Sequence, residues 1–284
     1  MLMNILTNTK EDYKRWKDKK LESFTSNLDH LTVHISNPNS VSKPEKNKVI
    51  SLIDSNSMAF FNIDNINYRD KLSIKKFALQ IGLGDYELDS RSDDDGLTEI
   101  KEHDHNHKIS EYIPYTTKEL NWHTDGYYNT RDNSILSWLL FCNTPSKKGG
   151  VNTYLDHEIS YILFNESSGK IKDLMLDSAC CIPENILTKR KEVHNPVYMF
   201  DNEKLHMKFS MRKKNIIWND ASLEAINILK SIINDSFEYH VTKKFAEGEG
   251  VITNNVIHKR TAFTNSENKN RLLYRLRSKR RVIK

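Results

Sequence analysis

The chain has 284 residues, with 43 Lys and Arg against 38 Asp and Glu and a formal net charge of +5. Its 37% hydrophobic and 29% charged residues exclude a disordered chain, and no apolar run reaches the roughly 18 residues that cross a bilayer. The opening MLMNILTNTKEDYKRW turns polar too early for a signal-peptide core, and three cysteines (Cys142, Cys180, Cys181) are no disulfide framework; both point to a cytoplasmic protein.

Helical patterning covers 10–24 and 42–55, where Ser42, Pro44 and Glu45 spell an N-cap, a first-turn proline and a capping-box partner. A third helix, KLSIKKFALQIGLG (71–84), ends on glycines, and RSDDDG (91–96) reads as a loop. HDHNH (103–107) carries three alternating histidines that would trap a metal adventitiously, but its polar setting reads as an exposed segment. Strand-like runs then follow at 97–103, 135–142, 151–156, 196–200, 205–211, 237–245, 250–258 and 271–277. Two helices, 157–166 and 221–235, interrupt them. Many short strands with turn signals predict a sandwich or barrel. We read one domain, 1–284, with a mostly helical layer over 1–90 packed on a β core over 95–280. The Cys180–Cys181 pair reads as buried packing, and the densely basic end RLLYRLRSKRRVIK as a solvated terminus. No aromatic-interleaved basic motif supports a nucleic-acid partner.

The chemistry concentrates in LNWHTDGYYN (120–129). His123 and Asp125 are two apart, so on an extended segment they share a face and grip one ion. A third ligand must come from elsewhere, and GVITNNVIHKR offers a strand ending at His258. Two histidines and a carboxylate leave three positions open for a co-substrate and O2, as in non-haem Fe(II) oxygenases, although zinc hydrolases use the same ligand types. In RLLYRLR, alternation puts Arg271, Leu273, Arg275 and Arg277 on one face and Leu272, Tyr274 and Leu276 on the other. Arginines turned into a barrel need an anion, and a dicarboxylate suits the guanidinium fork; the alternative is a basic edge strand. Asn121 shares the His123 face, Tyr127 and Tyr128 border the pocket, and Arg260 points with His258 toward a substrate anion. Trp122 faces the core, Asn255 orients neighbouring loops, and Asp156 with His157 caps a helix. His30, His34, His194, His206 and His240 have no partner pattern and read as structural.

Taken in order, NWHTDGYYN, KKGGVNTYLDHE, NNVIHKRTAF and RLLYR resemble the Fe(II)/2-oxoglutarate-dependent dioxygenases of the taurine dioxygenase and clavaminate synthase type, over roughly residues 95–280. The resemblance implies a mainly β, α+β fold, a double-stranded β-helix (jelly roll) with helices outside. It implies His123, Asp125 and His258 as iron ligands and Arg271 as the arginine for the distal carboxylate of 2-oxoglutarate. Thr153 matches the hydroxyl that assists it, although GGVNT has one residue more than the usual spacing, and Arg275 matches a position facing substrate or co-substrate. Asp125 stands where related halogenases carry a small residue, which implies hydroxylation or demethylation-type oxidation. Residues before HTD differ from those that bind sulfonate in taurine dioxygenase, which argues against taurine. The implied reaction uses Fe(II), 2-oxoglutarate and O2 to hydroxylate a C–H bond of a small, anionic molecule, releasing succinate and CO2. Two other readings are an oxygenase acting on a protein or nucleic acid, and a jelly-roll binding module without turnover. A homo-oligomer is compatible with the sequence.

Overall fold

The computed structural model describes residues 9–88, 96–102, 113–186, 190–212 and 215–283. Helices begin where capping chemistry allows. Thr9 accepts from the Asp12 amide to open α1 (Lys10–Ser23), and Ser42 and Glu45 form both arms of the capping box that opens α3 (Lys43–Asn56). The short α2 (Leu28–Leu31) lies between them. Asp70 caps α4 (Lys71–Ile81), which ends at Gly82 in the left-handed region with φ 109°.

A six-stranded sheet runs in the order β1 (Thr32–His34), β2 (Met58–Asn62), β14 (Glu249–Thr253), β5 (Ser137–Thr144), β17 (Leu272–Ser278), β3 (Leu97–Ile100). All its pairs are antiparallel except β1 with β2. A four-stranded sheet, β13 (Val241–Lys243), β7 (Asn152–Leu155), β15 (Ile257–Arg260), β4 (Leu120–His123), faces it. Phe60, Trp138, Leu140, Val251 and Leu273 of the large sheet meet Tyr154 and Val241 of the small one in a shared core. Outside the large sheet, Tyr274 and Leu276 pack with Val49 and Ile53 of α3 and Ile74 and Phe77 of α4. Outside the small sheet, Trp122, Leu155 and Ile257 pack with α5 (His157–Ser167) and α7 (Leu223–Asp235). Three smaller ribbons complete the β structure. They are β12 (Ile217–Trp218), β8 (Cys180–Ile182), β9 (Val193–Asn195); β10 (Tyr198–Asp201) with β11 (Lys204–Met207); and β6 (Lys148–Gly149) with β16 (Phe263–Thr264). The one-turn α6 (Ile171–Leu174) precedes β8. Among the described residues no helix is long and apolar enough to cross a membrane.

Several elements differ from the sequence expectations. GVITNNVIH is two strands in two sheets, because Asn255 turns the corner at φ 56°, a left-handed conformation that Asn tolerates. The N-terminal part is more than a helical layer, since MAFFN forms β2 inside the large sheet, buried on both faces and therefore without alternation. Of 237–245 only Val241–Lys243 is strand. The basic end is not a solvated terminus: Arg271 and Arg277 are buried, and Arg281 donates to the Leu205 carbonyl at 2.8 Å. Strand alternation also separates the adjacent cysteines, burying Cys180 and leaving Cys181 half-exposed. HDHNH lies outside the described residues.

One buried ion cluster ties α1 to α5. Lys20 Nζ lies 2.6 Å from both Asp156 and Glu158, and Asp156 is the N-cap of α5. Lys20→Ala strands a buried carboxylate and is expected to lower unfolding free energy in urea by about 3–5 kcal/mol. Lys14→Ala, which removes an exposed pair with Asp18, is expected to leave the urea midpoint unchanged.

Candidate metal centre

His123 and His258 are cross-strand partners on β4 and β15, with ring centroids 4.2 Å apart. Asp125 follows β4 by two residues and turns its carboxylate between them. Its Oδ1 lies 3.7 Å from His123 Nε2 and 3.8 Å from His258 Nε2. The three candidate ligand atoms lie within 4.8 Å of one another.

The backbone decides the tautomers. His123 Nδ1 meets the Asn121 carbonyl at 2.8 Å and His258 Nδ1 meets the Val256 carbonyl at 3.1 Å. A carbonyl only accepts, so each Nδ1 carries the proton and each Nε2 lone pair faces Asp125. Burial, then the neighbouring imidazole of His258, pushes His123 down to about 3; burial likewise lowers His258. Burial works against the Asp125 carboxylate, but Arg275, then Arg277 and the two imidazoles, hold its carboxyl below the usual range. Arg275 Nη1 lies 3.2 Å from Asp125 Oδ2, which receives no hydrogen bond. Two neutral nitrogens and an ionised, under-satisfied carboxylate thus converge in the protonation states that a divalent transition metal requires.

The loop bearing these groups is held from three sides. Thr124 exchanges bonds with Phe209, its amide donating to the carbonyl at 2.9 Å and its hydroxyl accepting from the amide at 3.0 Å. Gly126 sits at φ 64°, where an added Cβ would meet Ile135 at 2.5 Å, so no side chain fits there. Asn255 Oδ1 accepts from the Asp125 amide at 2.9 Å and from Trp138 Nε1 at 3.2 Å. Its Nδ2 donates to the carbonyls of Asp125 at 2.9 Å and Ile135 at 2.6 Å.

Two cavities meet at His123, Asp125 and Arg275. The larger, about 460 Å³, is bordered by Tyr127, Tyr128, Arg190, Arg212 and Arg277. The smaller, about 50 Å³, is bordered by Asn152, His258, Arg260 and Arg271. Arg271 is buried, its guanidinium 4.9 Å from the Phe263 ring centre. Among the described residues it has no carboxylate partner, and burial pushes it down to about 10. Arg260, over the same ring, is pushed down to about 9 by burial and by Arg271. Arg277 pairs with Glu87 and donates to the Tyr128 hydroxyl at 3.0 Å.

Of the residues singled out in the sequence, His123, Asp125, His258, Arg271, Arg275, Arg260, Tyr127 and Tyr128 border one or both cavities. Arg260 also binds backbone, donating to the Thr116 carbonyl at 3.1 Å and to that of Lys118. Asn121 and Thr153 border neither cavity. A one-residue bulge in β4, between the pairs His123–His258 and Leu120–Arg260, breaks the alternation. Leu120 therefore takes the cavity side while Asn121 is exposed. On β7 the Thr153 hydroxyl accepts from Thr242 at 3.3 Å, and its neighbour Asn152 borders the smaller cavity. Sequence reasoning missed Asn152, which the extra residue in GGVNT signals. It also missed Glu87 and Lys208, for which no signal exists. Lys208 is buried, and its ammonium donates to the carbonyls of Asn129 at 2.6 Å and Thr130 at 3.1 Å, fixing the loop after Tyr128.

No family model matches the chain, and no curated protein matches its sequence. Solved structures do match its fold. An asparagine oxygenase in complex with Fe(II), 2S,3S-3-hydroxyasparagine and succinate is 13% identical, with TM-score 0.58 over 95% of this chain and 92% of that one. AAD-2 in complex with Mn(II) and N-oxalylglycine is 14% identical, with TM-score 0.60 over 90% and 96%. A putative alpha-ketoglutarate-dependent taurine dioxygenase from Burkholderia xenovorans is 13% identical, with TM-score 0.59 over 88% and 89%. The chain shares the fold of these oxygenases along most of its length.

The Asn255 clamp is separable from the backbone geometry it requires. Asn255→Gly keeps the left-handed corner and loses the side-chain bonds, so it is expected to cost about 2–4 kcal/mol in urea unfolding. Asn255→Ala is expected to cost about 1–2 kcal/mol more, because alanine is strained at that φ.

Proposed function

We propose that this chain is a non-haem Fe(II)/2-oxoglutarate-dependent dioxygenase of the taurine dioxygenase and clavaminate synthase type, hydroxylating a C–H bond of a small anionic molecule. The observation that carries the reading is one constellation: two neutral imidazoles and an ionised carboxylate converge beside a buried arginine that lacks a carboxylate. Likeness in fold to proteins solved with Fe(II) and succinate, or with Mn(II) and N-oxalylglycine, supports iron over zinc. We read the two facing sheets as the double-stranded β-helix of that family, in one domain over 1–284.

His123, Asp125 and His258 would hold the metal. Bound there, Fe(II) supplies the redox chemistry that couples O2 and 2-oxoglutarate to substrate hydroxylation, with succinate and CO2 as products. The protein's own groups do the positioning. Arg271, which borders the smaller cavity, would take the distal carboxylate of 2-oxoglutarate as a charge-assisted pair. Asn152 stands beside it in the place expected of Thr153. Phe263, stacked on both Arg260 and Arg271, fixes the guanidinium planes.

The larger cavity is the substrate site in this reading. Arg277 is committed to Glu87 and Tyr128, Arg275 faces Asp125, and Arg190 donates to the Pro183 carbonyl at 2.7 Å. Arg212 borders the same cavity and forms no side-chain hydrogen bond or ion pair among the described residues. It is the cation left over for a substrate carboxylate, sulfonate or phosphate. Tyr127 and Tyr128 supply the apolar wall.

Fe(II) and 2-oxoglutarate added without oxygen are expected to give a weak visible charge-transfer band, which Asp125→Ala abolishes together with succinate formation in air. Metallated protein with no band would end the enzyme reading. Arg271→Ala is expected to raise the half-saturating 2-oxoglutarate concentration about tenfold or more, the loss of a charge-assisted pair; Arg277→Ala is expected to change it little. In a succinate-release screen of small acids, Arg212→Ala should raise the KM for the stimulating acid and leave the 2-oxoglutarate requirement unchanged.

A further inference from the structure

We infer that Cys181, Glu192 and His194 form a second metal site, taking a divalent cation of the zinc type, at the foot of the hairpin joining β8 to β9. Strand pairing builds it. Cys181 and His194 are direct cross-strand partners, and Glu192, two residues before His194, lies on the same face. A thiol sulfur, an imidazole nitrogen and a carboxylate oxygen thereby lie within 4.8 Å of one another.

Two of the three groups are already paired. Glu192 Oε1 is 3.1 Å from His194 Nε2. The Cys181 sulfur lies within 4.8 Å of a ligand atom of each. A cation bound there would displace the thiol proton to solvent. Packing does not account for the trio, since the side chains of Glu192 and His194 are 58% and 53% exposed. The adjacent Cys180 does pack: it points inward, and its thiol donates to the Asn195 carbonyl at 3.3 Å. Thiolate, imidazole and carboxylate together suit zinc or cobalt and are poor ligands for magnesium or calcium. Three protein ligands leave a position for water, so the site exchanges its metal with the surroundings.

Its position links it to the larger cavity. Beyond Cys181 the chain runs through Ile182, Pro183 and Asn185, all of which border that cavity. Asn185 and Arg190 then exchange two backbone hydrogen bonds, at 2.8 and 3.0 Å. Arg190 lies over the Tyr128 ring, 5.5 Å from its centre. A cation at Cys181, Glu192 and His194 fastens both strands of this hairpin at its base, and with them the Arg190 wall.

Cobalt(II) distinguishes this site from the iron centre, because the latter contains no thiolate. Titration of the metal-free chain is expected to give a near-ultraviolet thiolate-to-cobalt band and two bound equivalents. Cys181→Ser and His194→Ala should each abolish the band and one equivalent. Asp125→Ala should remove the other equivalent and keep the band, so loss of one assignment is read separately from loss of the other. Absence of the band in the unaltered chain, or its persistence in Cys181→Ser, would overturn the site.

Discussion

Asn255 sits where the chain leaves the large sheet for the small one, and its side chain occupies the gap between them. With one amide it bonds both backbone atoms of Asp125, the carbonyl of Ile135 and the indole of Trp138. Those groups lie on the loop after β4 and at the start of β5, more than a hundred residues before Asn255 in the chain. Three residues later comes His258, whose ring lies against Trp138, centroids 4.8 Å apart. The corner therefore sets the distance between Asp125 and His258, while the β4–β15 pairing sets that between His258 and His123. Because every bond in the clamp is buried, each mispositioning exposes a polar group to an apolar interior. The three ligand atoms are held by the fold and do not depend on a metal to gather them.

Charge is the second constraint. Among the groups bordering the two cavities are the guanidinium groups of Arg260, Arg271, Arg275 and Arg277 and the carboxylates of Asp125 and Glu87. Arg277 is answered by Glu87 and Arg260 by backbone carbonyls. That leaves Arg271 without an anion and Arg275 sharing Asp125 with whatever cation the histidines hold. Buried cations of this kind are expensive to leave unpaired. In the proposed reading, a dicarboxylate in the smaller cavity would answer that unpaired charge.

Much of this was legible from pattern alone, and the exceptions have definite causes. The His-x-Asp spacing, the Ser42–Glu45 capping box and the alternation of RLLYRLR are local rules, and the structure obeys each of them. Asn121 was placed on the cavity side by the same period-two rule. It failed for Asn121 because β4 carries a bulge, which no residue in LNWH announces. Thr153 came from matching a motif whose spacing here is one residue longer, and the extra residue turns Asn152 inward. The basic terminus was read as solvated from its charge density, whereas pairing with β5 carries Arg271 and Arg277 into the interior. Cys181 and His194 carried no motif in the sequence because their relation is a strand register, created by a hairpin.

Arg275 joins these constraints. It lies on the wall common to both cavities, and its guanidinium is the nearest cation to Asp125. An anion entering either cavity would compete with Asp125 for that guanidinium. To the extent that Arg275 turns away, the carboxylate becomes a better ligand for a metal held by His123 and His258. Filling the cavities and strengthening the metal centre are therefore coupled through one side chain, with no movement of the backbone required. The coupling is reciprocal, since a cation held against Asp125 weakens its hold on Arg275 and frees that arginine for an anion.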